Sequence, residues 1–286
     1  MPPAPLIAAD DIDVVRASGR NVRLLDVRWR LDQPEGRPAY VAGHLPGAVY
    51  VDLERELAHP GHPEEGRHPL PPVDGLRQAV RRWGISRDDL VVAYDDNDGV
   101  AAARAWWLLR RRGLDIRVLD GGFRAWIAAG LPLQTGDVAV EPGDADIDDT
   151  DPGVISLTEV GRLPRHGVLV DVRSPEQYRG RAAALDPVSG HIPGAINIPT
   201  VSHMRPDGRL RAAAEIGATL GAHGIRPGTP VALYCGSAIA SAHSALAYEV
   251  AGVEALVYPG SWSQWARTSG SPVATGSHPW DVTHSA

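Results

Sequence analysis

The chain carries a single cysteine, Cys235, in the setting of a nucleophile. It ends the apolar run Val231-Ala232-Leu233-Tyr234-Cys235, which reads as a strand buried on both faces. Small residues follow, Gly236-Ser237-Ala238-Ile239-Ala240-Ser241, and then apolar spacing of helical type over Ala242–Val250. A thiol at a strand-to-helix turn faces several backbone N–H groups and the positive end of a helix dipole. Both favour the thiolate, which is the reactive form. Ser237 stands two residues after the thiol, so its hydroxyl can point into the mouth of the turn. A structural buried thiol would share this strand context, so the elements around it have to decide between the two readings.

Those elements are written twice. Leu24-Leu25-Asp26-Val27-Arg28 returns as Leu169-Val170-Asp171-Val172-Arg173, and Gly43-His44-Leu45-Pro46-Gly47-Ala48 as Gly190-His191-Ile192-Pro193-Gly194-Ala195. Val91–Asp95 returns as Val231–Cys235, and Asp120–Trp126 as Pro259–Trp265. The copies lie 139 to 147 residues apart, a period that means a duplicated domain rather than a solenoid. Within each copy short apolar runs alternate with helix-like stretches such as Ala101–Leu109. This predicts an α/β fold in which each domain has a parallel sheet with helices on both faces. Ligands of such sheets bind beyond the carboxyl ends of the strands, where Cys235 is expected. An Asp-, Gly- and Pro-rich stretch, Gln134 to Gly153, separates the copies. The expected division is an N-terminal domain over 1–135, a linker over 136–153 and a catalytic C-terminal domain over 154–286.

Composition narrows the function classes. The 286 residues are 43% hydrophobic and 22% charged, as in soluble globular proteins. A net charge of −7 argues against a general nucleic-acid binder, while local arginines can still hold a small anion. One cysteine forms no internal disulfide, no apolar run suits a membrane span, and the N-terminus lacks a signal-peptide pattern. A cytoplasmic protein without membrane partner, metal or cofactor is expected. Asp95-Asp96-Asn97-Asp98-Gly99 hints at a calcium loop, but with Gly99 at the sixth place Tyr94 would stand first, which fails the pattern. Tyrosine-type phosphatases need Cys-x5-Arg, and Ser241 stands where that arginine would be.

The motifs Tyr40–Ala48, Tyr258–Trp265 and the Cys235 loop resemble the two-domain rhodanese family, the thiosulfate and 3-mercaptopyruvate sulfurtransferases. Gln264 stands where that family usually has Glu. Only the C-terminal copy of the family keeps the cysteine, and here Asp95 stands opposite Cys235. The resemblance implies two tandem rhodanese-like domains and a sulfur passed through a Cys235 persulfide, cradled by the loop Gly236–Ser241. The start Cys-Gly-Ser and the uncharged loop look like the 3-mercaptopyruvate branch, from which Ala238 and Ala240 depart. Thiosulfate as donor is the alternative, and a weakly active sulfur-carrier or binding protein is a third reading. The acceptor would be a small thiol, reduced thioredoxin or cyanide.

In the mercaptopyruvate branch the serine matching Ser237 joins a proton relay with a histidine and an acidic residue of the N-terminal domain. The similar residues are His68, with Asp52 or Glu54; the alternative for His68 is a surface loop histidine. The family holds its anionic donor with arginines before the second Gly-His motif. Here Gln177 replaces one, and Arg179 and Arg181 are the candidates to substitute, the alternative being solvated loop charges. Trp29 is expected either to wall the cleft between domains or to join the core. His44, His191 and the pairs Asp26/Arg28 and Asp171/Arg173 recur in both copies, so a structural role is expected of them. His243 is expected to pack or to face solvent.

Overall fold

The computed structural model describes residues 3–150, 153–182 and 185–283. The chain forms two compact units. Residues 3–59, 70–150 and 204–210 make the first; residues 60–69 and the described residues of 153–203 and 211–283 make the second. His68 therefore belongs to the second unit, although it lies among residues expected in the N-terminal domain.

In the first unit β1 (Leu6–Ile7), β2 (Val22–Asp26), β3 (Val49–Tyr50), β4 (Leu90–Tyr94) and β5 (Ile116–Leu119) form one sheet in the order β1-β5-β4-β2-β3. Every pairing is parallel, with Leu24 opposite Val92 at its centre. The helices are α1 (Ala9–Ala17), α2 (Arg37–Ala42), α3 (Leu53–Glu56), α4 (Val73–Arg82), α5 (Val100–Arg110) and α6 (Gly122–Ala128). β4 is buried along its whole length, as an all-apolar central strand covered on both faces must be. Residues 136–150 form no helix or strand. They are tied down by Gly143 N–H to Arg81 O, Ala145 N–H to Ile85 O and Asp148 N–H to Arg112 O, with Ala145 and Ile147 buried. Arg77 reaches back to Asp146 at 2.7 Å.

The second unit repeats the plan. β6 (Val168–Asp171), β7 (Ile196–Asn197), β8 (Val231–Tyr234) and β9 (Leu256–Val257) make a parallel sheet in the order β7-β6-β8-β9. Its helices are α7 (Leu157–Arg162), α8 (Pro175–Tyr178), α9 (Ala213–Ala222), α10 (Ile239–Val250) and α11 (Ser261–Trp265). The two cores are built from matching positions: Leu45, Ala48, Tyr94 and Trp126 in the first, Ile192, Ala195, Tyr234 and Trp265 in the second. Each large apolar side chain so buried contributes on the order of 1.5–3 kcal/mol. Among the described residues no helix is long and apolar enough to cross a membrane.

The duplicated polar motifs brace these cores. Arg28 donates to Asp26 at 2.7 Å and to Gly43 O at 2.7 Å; Arg173 does the same to Asp171 at 2.6 Å and Gly190 O at 2.7 Å. His44 stacks on Tyr40 and His191 on Tyr178, with ring centroids 4.1 and 3.7 Å apart. Each ring's Nδ1 bonds the carbonyl of the tyrosine it stacks on. The arrangement explains why all four residues are present in both copies, with and without the thiol.

Candidate active site

β8 ends at Tyr234, so Cys235 is the first residue past the carboxyl end of a central strand. It is a free thiol, 3% exposed. The base of its loop is fastened to the start of α11. The Cys235 N–H donates to Ser261 Oγ at 3.3 Å, and Ser261 Oγ donates to Tyr258 O at 2.9 Å. Trp262 N–H reaches Cys235 O at 2.9 Å, and Ser263 N–H reaches Gly236 O at 3.0 Å. The doubled Pro259–Trp265 motif thus acts as the buttress of the cysteine loop. Ser261 has a left-handed backbone, φ 50°, as does the matching Gly122 at φ 55°. The bonds of Ser261 offset a conformation that costs a non-glycine residue about 1–2 kcal/mol.

Ala238 turns the loop into α10 with φ 63°, and its methyl is fully buried. Ile239 is buried and Ala240 half-buried, both in the first turn of α10. Ser241 is buried there too, with no partner for its hydroxyl among the described residues. His243, one turn further, is buried and bonds Thr200 Oγ1 at 2.8 Å, which settles its packing role.

Ser237 is 7% exposed and His68 5%. His68 Nδ1 lies 2.7 Å from Ser237 Oγ, a strong hydrogen bond whose direction follows the tautomer of the ring. The pair predicted from sequence is therefore brought together, two residues from the thiol. The other predicted acidic partners lie in the first unit. Asp52 caps α3 by accepting from Arg55 N–H at 3.2 Å. Glu54 accepts from the indole N–H of Trp29 at 2.7 Å. Trp29 is itself buried and lines a cleft of the first unit with Arg28, Arg30 and Asp96.

A cleft opens beside the cysteine loop, lined by Arg67, Arg173, Gln177, Asp186, Gly236 and Trp262 among others. Gln177 is thus placed at the cleft, and its Oε1 also accepts from Ser174 N–H at 3.2 Å to cap α8. Arg179, at the end of α8, and the exposed Arg181 do not line it. Two other arginines do. Arg173 lies under Trp262, its guanidinium carbon 4.7 Å from the ring centroid. Burial works against its charge, but Asp171, Tyr234 and Cys235 outweigh burial and raise its pKa. Arg67 comes from the 60–69 segment, donates its N–H to Ser263 Oγ at 3.1 Å and ion-pairs with Asp186. Arg267 Nη1 shares that carboxylate at 2.5 Å and donates to Ser263 O at 2.7 Å. Gln264 accepts from Tyr258 Oη at 2.7 Å and donates to Glu64 O at 3.1 Å. The second bond needs an amide, so a glutamate would lose this tie to the 60–69 segment. Sequence reasoning missed Arg67, Asp186 and Ser261 because their partners are far apart in the chain; the adjacency of Arg67 to His68 was the one available signal.

Residues 13–129 and 156–268 each match the model of the Rhodanese-like domain family. The chain therefore belongs to this family, as a tandem-domain sulfurtransferase. It is 43% identical over 275 residues to "Putative thiosulfate sulfurtransferase SseB" of Mycobacterium tuberculosis, covering 95% of this chain and 97% of that one. It is 38% identical over 285 residues to "Probable 3-mercaptopyruvate sulfurtransferase" of Pseudomonas aeruginosa, covering 96% of this chain and 100% of that one. The crystal structure of SseA from Escherichia coli, described there among 3-mercaptopyruvate sulfotransferases, superposes with a TM-score of 0.80 at 26% identity, over 91% of this chain and 99% of that one. The two relatives carry different donors in their names, so the donor has to be argued from the site.

Proposed function

We propose that this protein moves a sulfur from 3-mercaptopyruvate to a thiol or cyanide acceptor through a persulfide on Cys235. The observation that carries the reading is the 2.7 Å bond between His68 and Ser237, buried beside the thiol. The Cys235 thiolate attacks the donor's thiol sulfur; the Sγ–S bond forms and the C–S bond breaks. The electron pair leaves on carbon as pyruvate enolate, and His68, bonded to Ser237, passes to it the proton that the donor sulfur gives up, so that pyruvate and the persulfide anion form together. The acceptor thiolate, from a small thiol or reduced thioredoxin, or cyanide then takes the outer sulfur and returns Cys235 to its thiolate. Loop N–H groups from Gly236 to Ser241 hold the persulfide anion. A lone thiol that must stay reduced between turnovers suits a cytoplasmic location.

Thiosulfate leaves as sulfite, which needs no proton on carbon, so the relay separates the two donors. His68→Ala is expected to lower kcat with 3-mercaptopyruvate by about a hundredfold and with thiosulfate far less. Equal losses with both donors would remove the relay from the mechanism. Intact-mass spectrometry after donor treatment is expected to show one added sulfur on the wild type and none on Cys235→Ser. An adduct that forms and no acceptor discharges would favour a sulfur carrier.

A further inference from the structure

The two units each have a cleft at the carboxyl edge of their sheet, and the charges in them do not match. In the first unit Arg28 is answered by Asp26 at 2.7 Å and Arg30 by Asp96 at 3.4 Å, and Glu35 also lines the cleft. No positive charge is left over there. In the second unit Arg173 is answered by Asp171, but Arg67 and Arg267 converge on the single carboxylate of Asp186. Set apart from the Cys235 thiolate, which its own loop N–H groups face, two guanidinium groups on one carboxylate leave one positive charge in surplus. Asp186 is 9% exposed, so solvent screens this imbalance weakly. The surplus also sits where a donor must arrive. A methyl on Gly236 would lie 2.8 Å from Arg67 Nη2, so the guanidinium covers the residue next to Cys235. Arg67 Nε is buried and has no acceptor among the described residues, so the Nη groups are the ones that can meet an oxyanion.

We infer that this cleft is a monoanion site, with Arg67 as the cation that anchors the donor and Asp186 as the residue that sets the charge the donor must carry. The inference rests on the proposed sulfur transfer and adds the source of its donor preference. One surplus charge balances a single carboxylate such as that of 3-mercaptopyruvate and leaves a dianion such as thiosulfate half compensated. Planar bidentate pairing suits guanidinium to carboxylate. The anchor thus comes from the 60–69 segment rather than from Arg179 or Arg181.

The test changes the charge without changing the shape. Asp186→Asn keeps acceptor geometry toward both arginines and raises the surplus from one charge to two. It is expected to shift the ratio of kcat/KM for thiosulfate over 3-mercaptopyruvate upward by about tenfold. Binding of sulfate relative to pyruvate, read by quenching of tryptophan fluorescence since Trp262 lines the cleft, is expected to shift by the same factor. Arg67→Met removes the anchor and is expected to weaken pyruvate by about tenfold, with sulfate weakened at least as much. If Asp186→Asn fails to fold, the Arg67→Met binding result decides alone. Unchanged anion ratios in Asp186→Asn, or full pyruvate affinity in Arg67→Met, would overturn the inference. A wild type that forms no persulfide would sink the catalytic reading instead, while the pyruvate and sulfate affinities still judge the cleft.

Discussion

The loop at Asp95 and the loop at Cys235 occupy the same place in the two units and hold different things. In the first unit Asp95 follows β4, and its fully buried carboxylate accepts four backbone N–H bonds, from Asn97, Gly99, Ala101 and Ala102, all at 2.8 Å. The positions in register after Cys235 are Ser237, Ile239, Ser241 and Ala242. Both loops turn through a left-handed residue three positions on, Asp98 at φ 58° and Ala238 at φ 63°. The duplicated backbone is an anion cradle filled by the Asp95 side chain in the first copy; in the second copy the same turn carries the thiol, and the proposed persulfide would take the place of the carboxylate. Burial still raises the Asp95 pKa despite the four N–H bonds that lower it. A small carboxylate oxygen costs more to desolvate than a large, diffuse sulfur anion, so the same cradle suits a persulfide better.

The sharpest way to break the comparison is to make the two loops alike. Cys235→Asp is expected to fold with its carboxylate caught by the loop N–H groups, and to lose at least about a thousandfold in sulfur transfer. A melting temperature well below that of Cys235→Ser would show that the second cradle does not accept an anion. The converse change, Asp95→Ala, strips the acceptor from four donors, three of them in buried bonds. It is expected to cost about 3 kcal/mol in chemical denaturation and to leave persulfide formation on Cys235 intact. A change below about 1 kcal/mol would mean that the cradle needs no occupant.

Acid provides a third contrast. His203, buried in the second unit with neither ring nitrogen bonded among the described residues, is pushed down to about 4 by burial and then by Arg211. An unfolded histidine titrates near 6.5. The group is neutral in both states above that value, so its contribution is intact there. Between about pH 6.5 and 4 the unfolded chain binds the proton first, and stability falls by about 3 kcal/mol. His203→Leu is expected to flatten this part of the stability–pH curve; an unaltered slope would discard the assignment. The smallest effect belongs to Ala238. Glycine there removes left-handed strain and adds unfolded-state entropy, for a net gain of about 0.5 kcal/mol. A loss of stability in Ala238→Gly would show that the buried methyl matters more than the backbone.

Much of the fold and the centre of the site could be read from the chain. An unbroken apolar run and period-3.6 patterning are both local, so β8, α10 and the position of Cys235 between them were predictable, and the four repeated motifs announced two sheets. The His68–Ser237 pair was legible only through the family resemblance. The ties of Ser261 to Cys235 and of Arg67 and Arg267 to Asp186 were not legible, because many arginines and carboxylates are compatible on paper and only proximity selects among them.

By itself, then, the amino-acid order determined a doubled α/β architecture with one thiol at the end of a central strand, since backbone hydrogen bonding and hydrophobic burial act over a few residues at a time. Tertiary structure alone decided that residues 60–69 join the second unit, that Arg67 instead of Arg179 or Arg181 meets the cleft, and that two arginines share one carboxylate. Electrostatic pairing depends on which side chains folding brings within a few ångströms, and no local rule of sequence supplies that distance.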